Sequence, residues 1–136
     1  MSQVLDKTGL LSRLRIGEVV IIPTDTLPGV AVMPAHAHRI WELKRRPADK
    51  PLILMGATVD ALFQHVDDCC HRDAAALAEL HWPGALTLVL PATSGFVAQL
   101  NPGGSSLGCR IPACAMTQDL LNVSGPLATS SANRSG

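Results

Sequence analysis

At 136 residues the chain has room for one domain that buries roughly two-thirds of its unfolded surface, and not for a second. Its 47% apolar and 16% charged composition excludes disorder, and two Trp, two Phe and no Tyr leave out the stacking platforms of single-strand nucleic-acid binders. With 11 basic and 11 acidic residues the formal net charge is zero, so any anion site must be local; no apolar run reaches membrane-span length and Met1 to Asp6 has no signal pattern, so a cytoplasmic protein without membrane association is expected.

Gln3 to Arg15 reads as a first helix, with Leu10, Leu11 and Leu14 on one side and Gly17 as its stop. Glu18 to Ile22 is a β-branched run without alternation, the pattern of a strand covered on both faces. Pro23 ends it, and beyond the turn Thr24-Asp25-Thr26-Leu27-Pro28 the stretch Gly29 to Met33 is a second strand. His36 to Arg45 follows as a helix whose stripe of Ala37, Ile40 and Trp41 also takes Lys44, so Lys44 is expected at a cleft or core edge. Pro47 stops that helix and pushes Arg46 toward an extended conformation. Leu52 to Met55 is a third strand, Val59 to Val66 and Asp73 to His81 are helices, and Trp82-Pro83-Gly84 turns into the strand Ala85 to Leu90. Pro91 to Ser106 is a Gly-, Pro- and Ser-rich loop, long enough that it either moves or covers something. Leu107 to Ile111 is a strand, Ala113 to Asn122 a helix and Leu127 to Ser130 a strand. Alternating strands and helices, with no repeat or linker, predict a single α/β domain over 1–136: a mixed open sheet with flanking helices.

Polar clusters fall where strands end, which is where open α/β sheets bind ligands. Lys44, Arg45, Arg46 and Lys50 form a corner fit for a phosphate or carboxylate, or else are solvated cations of a last helical turn. Thr24 and Thr26 can orient a small polar ligand, or satisfy their own turn. Arg110, with Ser105 and Ser106 upstream, offers a planar fork for a carboxylate or phosphate, or makes a structural ion pair. Ser131 and Asn133 share a side by period two and suit sugar hydroxyls, phosphate or a base edge; both also suit ordinary turns. His65, Cys69, Cys70 and His71 invite a zinc assignment, but no second ligand pair with metal-site spacing accompanies them, so no metal site is expected and all four cysteines read as free thiols. There is no P-loop, no dinucleotide-binding glycine motif and no Gly-x-Ser-x-Gly elbow, so covalent catalysis is not signalled.

Taken in order, Pro23-Thr24-Asp25-Thr26, Leu43-Lys44-Arg45-Arg46-Pro47 with Lys50-Pro51-Leu52, Trp82-Pro83-Gly84-Ala85-Leu86-Thr87, Arg110-Ile111-Pro112 and Ser131-Ala132-Asn133-Arg134-Ser135-Gly136 resemble the YrdC-like family of threonylcarbamoyl-AMP synthases, from about Val19 to Gly136. The resemblance implies a twisted α/β sheet with a positively charged concave face. It implies a nucleotidyltransferase that makes threonylcarbamoyl-AMP and pyrophosphate from L-threonine, bicarbonate and ATP, with Mg2+ on the phosphates, for threonylcarbamoyladenosine in tRNA. By the same resemblance, Lys44, Arg46 and Lys50 hold the triphosphate, Ser106 and Asn133 also contact the nucleotide, and Thr26, Arg110 and Ser131 hold threonine. Lys44 and Arg46 are the residues expected to carry catalysis. Partners so implied are tRNA or double-stranded RNA on the basic face and the proteins of the threonylcarbamoyl transfer complex.

The chain departs from the family pattern at Leu27-Pro28, where an aromatic residue is usual, and at Met55, where some members carry a ligand-binding histidine. It also ends at Gly136, where relatives continue, so the strand ending at Ser130 is expected to leave a sheet edge without cover, with homodimerisation as a response. Two other readings stay open: a non-catalytic YrdC-like module for RNA or nucleotide, and carbamoyl transfer to a different acceptor.

Overall fold

A computed structural model describes residues 6–44 and 50–132. Six strands form one sheet in the order β1-β2-β6-β3-β5-β4: β1 (Val20–Ile22), β2 (Gly29–Val32), β3 (Ile53–Met55), β4 (Leu88–Pro91), β5 (Ser106–Arg110) and β6 (Leu127–Ser131). Only β3 and β5 run parallel; the other neighbours are antiparallel, which makes the sheet mixed as expected. The helices are α1 (Lys7–Arg15), α2 (His38–Lys44), α3 (Val59–Phe63), α4 (His71–His81), α5 (Gly95–Leu100) and α6 (Ala115–Ser124).

Local chemistry sets several of these boundaries. The helix predicted from Gln3 starts at Lys7, because Asp6 is extended and its carboxylate accepts the Gly9 N–H at 2.9 Å as an N-cap. The helix stops where Gly17 takes φ +83°, with Gly17 N donating to Leu14 O and Glu18 N to Arg13 O, the paired bonds of a Schellman ending. The strand predicted from Glu18 to be covered on both faces is instead an edge: β1 pairs only with β2, and Ile21 is 65% exposed. A β-branched run records strand propensity but not which strand becomes a sheet's rim. The predicted 91–106 loop contains α5, whose Val97 and Leu100 are buried, and Leu52 N donates to Leu100 O at 2.9 Å. That segment covers the sheet.

The strand predicted to leave an unprotected edge, β6, lies in the middle of the sheet between β2 and β3. The edges are β1 and β4. Residues in register share a face, so Val20, Ile22, Ala31, Met55 and Leu127 pack together against Leu10, Leu11 and Leu14 of α1 and Leu120 and Leu121 of α6. The opposite face buries Val30, Val32, Leu54, Leu88, Leu107, Cys109 and Ala128 under α2 to α5. α1 and α6 cover one side of their face; the remainder forms the floor of a pocket.

Candidate functional site: a pocket on the sheet

The pocket has a volume of about 180 Å³ and is lined by Thr24, Thr26, Leu27, Gly29, Ile53, Met55, Thr87, Arg110, Thr129, Ser130 and Ser131. Its floor follows from register: Gly29 lies opposite Ser131, Thr129 opposite Ile53, and Met55 opposite Arg110. Gly108, beside Ile53, belongs to the same face, and a Cβ there would come within 2.8 Å of Ile53 Cδ1 and 3.4 Å of Thr87 Cγ2. Glycine therefore lets the floor side chains settle flat.

Among the described residues Arg110 is the one guanidinium at the pocket, and three residues from two turns hold it. Its Nε donates to Gly84 O at 2.9 Å, Nη1 to Thr26 Oγ1 at 3.1 Å, and Nη2 to Asp25 Oδ1 in an ion pair. The same Asp25 oxygen accepts the Ala113 N–H at 3.0 Å, so the carboxylate is itself fixed. Gly84 belongs to the turn after the cis Trp82–Pro83 bond, and its N–H donates to Ile111 O at 2.8 Å. A Cβ on Gly84 would collide with His81 O, so this turn approaches as it does only with glycine. Five N–H donors less three used leaves Arg110 two for a ligand, in the planar fork that suits a carboxylate. Arg110 therefore makes the structural ion pair that was one of its two readings, and it also lines the pocket.

The Thr24-Asp25-Thr26 segment is a turn and not an extended strand end. Thr24 Oγ1 accepts Thr26 N–H at 3.1 Å and donates to Leu27 O at 2.7 Å, and the two hydroxyl oxygens lie 3.2 Å apart. α6 pins this turn through the buried Thr117 hydroxyl, which donates to Pro23 O. Leu27 forms an aliphatic wall where the family pattern has an aromatic nearby, and Met55 is 4% exposed beneath the pocket.

The structure thus brings Thr26, Arg110 and Ser131 together around one pocket. Lys44, on α2 in the layer opposite the pocket, has Nζ donating to Ser130 Oγ at 3.2 Å and to Ser131 O, at the edge of the core as its place on the apolar stripe predicts; it is not among the residues that line the pocket. Lys50 and Ser106 lie elsewhere along the sheet: Lys50 precedes β3 and offers its carbonyl to Trp41 Nε1 at 3.1 Å. Ser106 opens β5, roughly 13 Å along the strand from Arg110, and its Oγ lies 3.4 Å from Asn101 Nδ2. Register sets the starts of β3 and β5 beside the end of β6, so Lys50, Ser106 and Ser131 share one end of the central sheet. Arg45, Arg46 and Asn133 lie outside the described residues. Sequence reasoning missed Thr87, Ile53, Thr129 and the orienting role of Asp25. The period-two pairs Ile53/Met55 and Gly108/Arg110 carry the signal for the floor, but only once the register is known.

Among the described residues no carboxylate, histidine or cysteine lines the pocket, and no group of three such side chains could hold a metal. His71 Nε2 lies 3.3 Å from Val66 O and His65 stacks on Phe96 at 4.3 Å, so the histidines flanking Cys69 and Cys70 have other contacts. Among the described residues no helix is long and apolar enough to cross a membrane.

Known proteins resemble this chain in sequence and in fold. The threonylcarbamoyl-AMP synthase of Pyrococcus abyssi is 36% identical over 127 residues, covering 90% of this chain and 37% of the relative. That of Vibrio parahaemolyticus is 32% identical, covering 93% and 71%, and the human one is 36% identical, covering 92% and 45%. The chain therefore spans from about two-fifths to seven-tenths of the length of these relatives. Among solved structures, P. abyssi Sua5 complexed with L-threonine superimposes with a TM-score of 0.88 at 32% identity, over 98% of this chain and 41% of that one. Residues 12–136 match the Sua5_yciO_yrdC family, described as telomere recombination. A shared sheet, an ordered set of motifs and a family match over nearly the whole length lead to one conclusion: the chain belongs to the Sua5/YciO/YrdC family.

Proposed function

We propose that this chain carries the L-threonine and nucleotide sites of a threonylcarbamoyl-AMP synthase. The observation that carries the reading is the convergence of Thr26, Arg110 and Ser131 on one small pocket, in a chain similar to a Sua5 solved with L-threonine. In this reading Arg110 takes the threonine carboxylate with its two uncommitted N–H groups, and Thr26 and Ser131 orient the ligand's polar groups. Leu27, Ile53, Met55 and the Thr87 methyl offer apolar contact to its side chain.

Threonine's amine and bicarbonate give a carbamate with loss of water, and a carbamate oxygen attacks the α-phosphorus of ATP while the bond to pyrophosphate breaks. No protein nucleophile is needed; positioning and charge neutralisation suffice. Lys44, whose Nζ bonds the end of β6, makes up the proposed nucleotide set with Arg46, Lys50, Ser106 and Asn133. Asp25 is committed to Arg110 and Ala113, so among the described residues no carboxylate at the pocket is left for a magnesium ion, and this reading takes Mg2+ as a companion of the phosphates. tRNA, double-stranded RNA and the proteins of the threonylcarbamoyl transfer complex are the partners this reading implies.

The test is pyrophosphate release from ATP and bicarbonate with and without L-threonine, for this chain and for its Arg46→Ala and Arg110→Ala variants. Threonine-dependent release lost in both variants is the expected result. Absence of both release and any threonine-dependent rise in melting temperature would refute the reading. Threonine protection without release would favour the binding module.

A further inference from the structure

Cys69 and Cys70 lie in a 3-10 turn (Asp68–Cys70) at the start of α4, in the helix layer opposite the pocket. Successive residues of such a turn point about 120° apart, yet these two Sγ atoms lie only 3.5 Å from each other. Cys69 is exposed and Cys70 half-buried, so both are within reach of a small reagent. The turn is also braced: Asp67 N–H donates to Pro91 O at 2.8 Å, Thr93 Oγ1 donates to Asp67 Oδ1 at 3.1 Å, and His71 packs on Phe63 at 5.0 Å.

We propose that Cys69 and Cys70 form a vicinal dithiol site that captures a trivalent arsenical or a like pyramidal thiophilic centre, one atom bridging both sulfurs. The spacing selects this class. Two sulfurs 3.5 Å apart, each about 2.3 Å from a central atom as in zinc thiolates, enclose an angle of roughly 100°. That excludes a linear two-coordinate ion. A tetrahedral zinc would need two further ligands, and among the described residues no group of three metal-binding side chains exists. A direct disulfide is disfavoured because adjacent Cα atoms sit about 3.8 Å apart, short of the usual disulfide range of roughly 4.4–6.8 Å, so the ring would be strained and easily reduced. A pyramidal centre needs only the two sulfurs and one group of its own.

The capture is a condensation without redox change. An organoarsenic centre bearing two hydroxyls forms two As–S bonds and loses two As–O bonds, and each thiol proton leaves with a hydroxyl as water. Hydrogen bonding to Cys69, burial, and the nearby charges of Cys69, Asp73 and Asp67 push the Cys70 thiol above its ordinary 9.0, which slows thiolate-driven exchange at that sulfur. Cys109 is buried, with its thiol pushed up to about 12, and does not compete.

The test treats the reduced full chain with phenylarsine oxide and reads adducts by intact mass and peptide mapping. The expected result is one arsenical per chain on the Cys69–Cys70 peptide. It should survive excess monothiol, be stripped by 1,2-ethanedithiol, and be absent from Cys69→Ser and Cys70→Ser but present in Cys114→Ser. The melting temperature of Cys69→Ser should match the parent, because that side chain is exposed. An adduct retained in either single variant, no adduct that survives monothiol, or closure to an intrachain disulfide by glutathione disulfide in place of capture would each overturn the proposal.

Discussion

Asp25 acts on the pocket through Arg110, which makes the pair separable by experiment. Side-chain exposures of 20% and 12% put the pair in a partly dry setting, where leaving one partner unmatched costs about 1–3 kcal/mol. Asp25→Ala is expected to lower unfolding stability by that amount and to weaken threonine binding, while Asp25→Asn, which can still accept the Ala113 N–H, recovers part of the stability; urea melts and calorimetric titration of threonine check both. If Arg110 holds the carboxylate, Arg110→Ala should reduce threonine affinity about 10- to 100-fold, the worth of a charge-assisted hydrogen bond. Gly108→Ala should act by sterics: the new Cβ displaces Ile53 Cδ1 into the pocket, so threonine affinity falls while the sheet survives. Arg110, Thr26 and Ser131 were legible as candidates because hydroxyls and a guanidinium fall where strands end and within the ordered family motifs. The Asp25–Arg110 pairing was not, because 85 residues separate the partners.

At the level of elements, α5 makes the sharpest difference between reading and structure. A segment rich in Gly, Pro and Ser carries loop propensity, and the six residues Gly95–Leu100 become helical because Val97 and Leu100 can be buried against the sheet. Leu100→Ala is expected to cost about 2–5 kcal/mol, read as a drop in the urea midpoint, since that side chain is fully buried. His65 stacks on Phe96 of α5, and burial lowers its pKa below the ordinary 6.5. A lowered folded value means the neutral ring is favoured in the native state, so this contribution is present above pH 6.5 and is lost as pH falls through the lower folded value. Melting temperature should therefore drop on acidification from neutrality, and His65→Gln should flatten that part of the profile.

Across the whole molecule, the sheet order decides what is exposed. β1 is a rim strand with Ile21 65% exposed, a feature that favours edge pairing between copies. Ile21→Lys is expected to leave stability within about 0.5 kcal/mol and to reduce any concentration-dependent association seen by sedimentation. The sequence by itself determined the class of fold, the order of most elements, the family and the polar candidates, because propensity, turn chemistry and motif order act over a few residues. Only the tertiary structure decided that β6 is central and β1 an edge, that α5 exists, and that Arg110 is oriented by Gly84, Asp25 and Thr26. Those outcomes depend on strand register and on contacts between residues tens of positions apart, and local pattern carries no record of either.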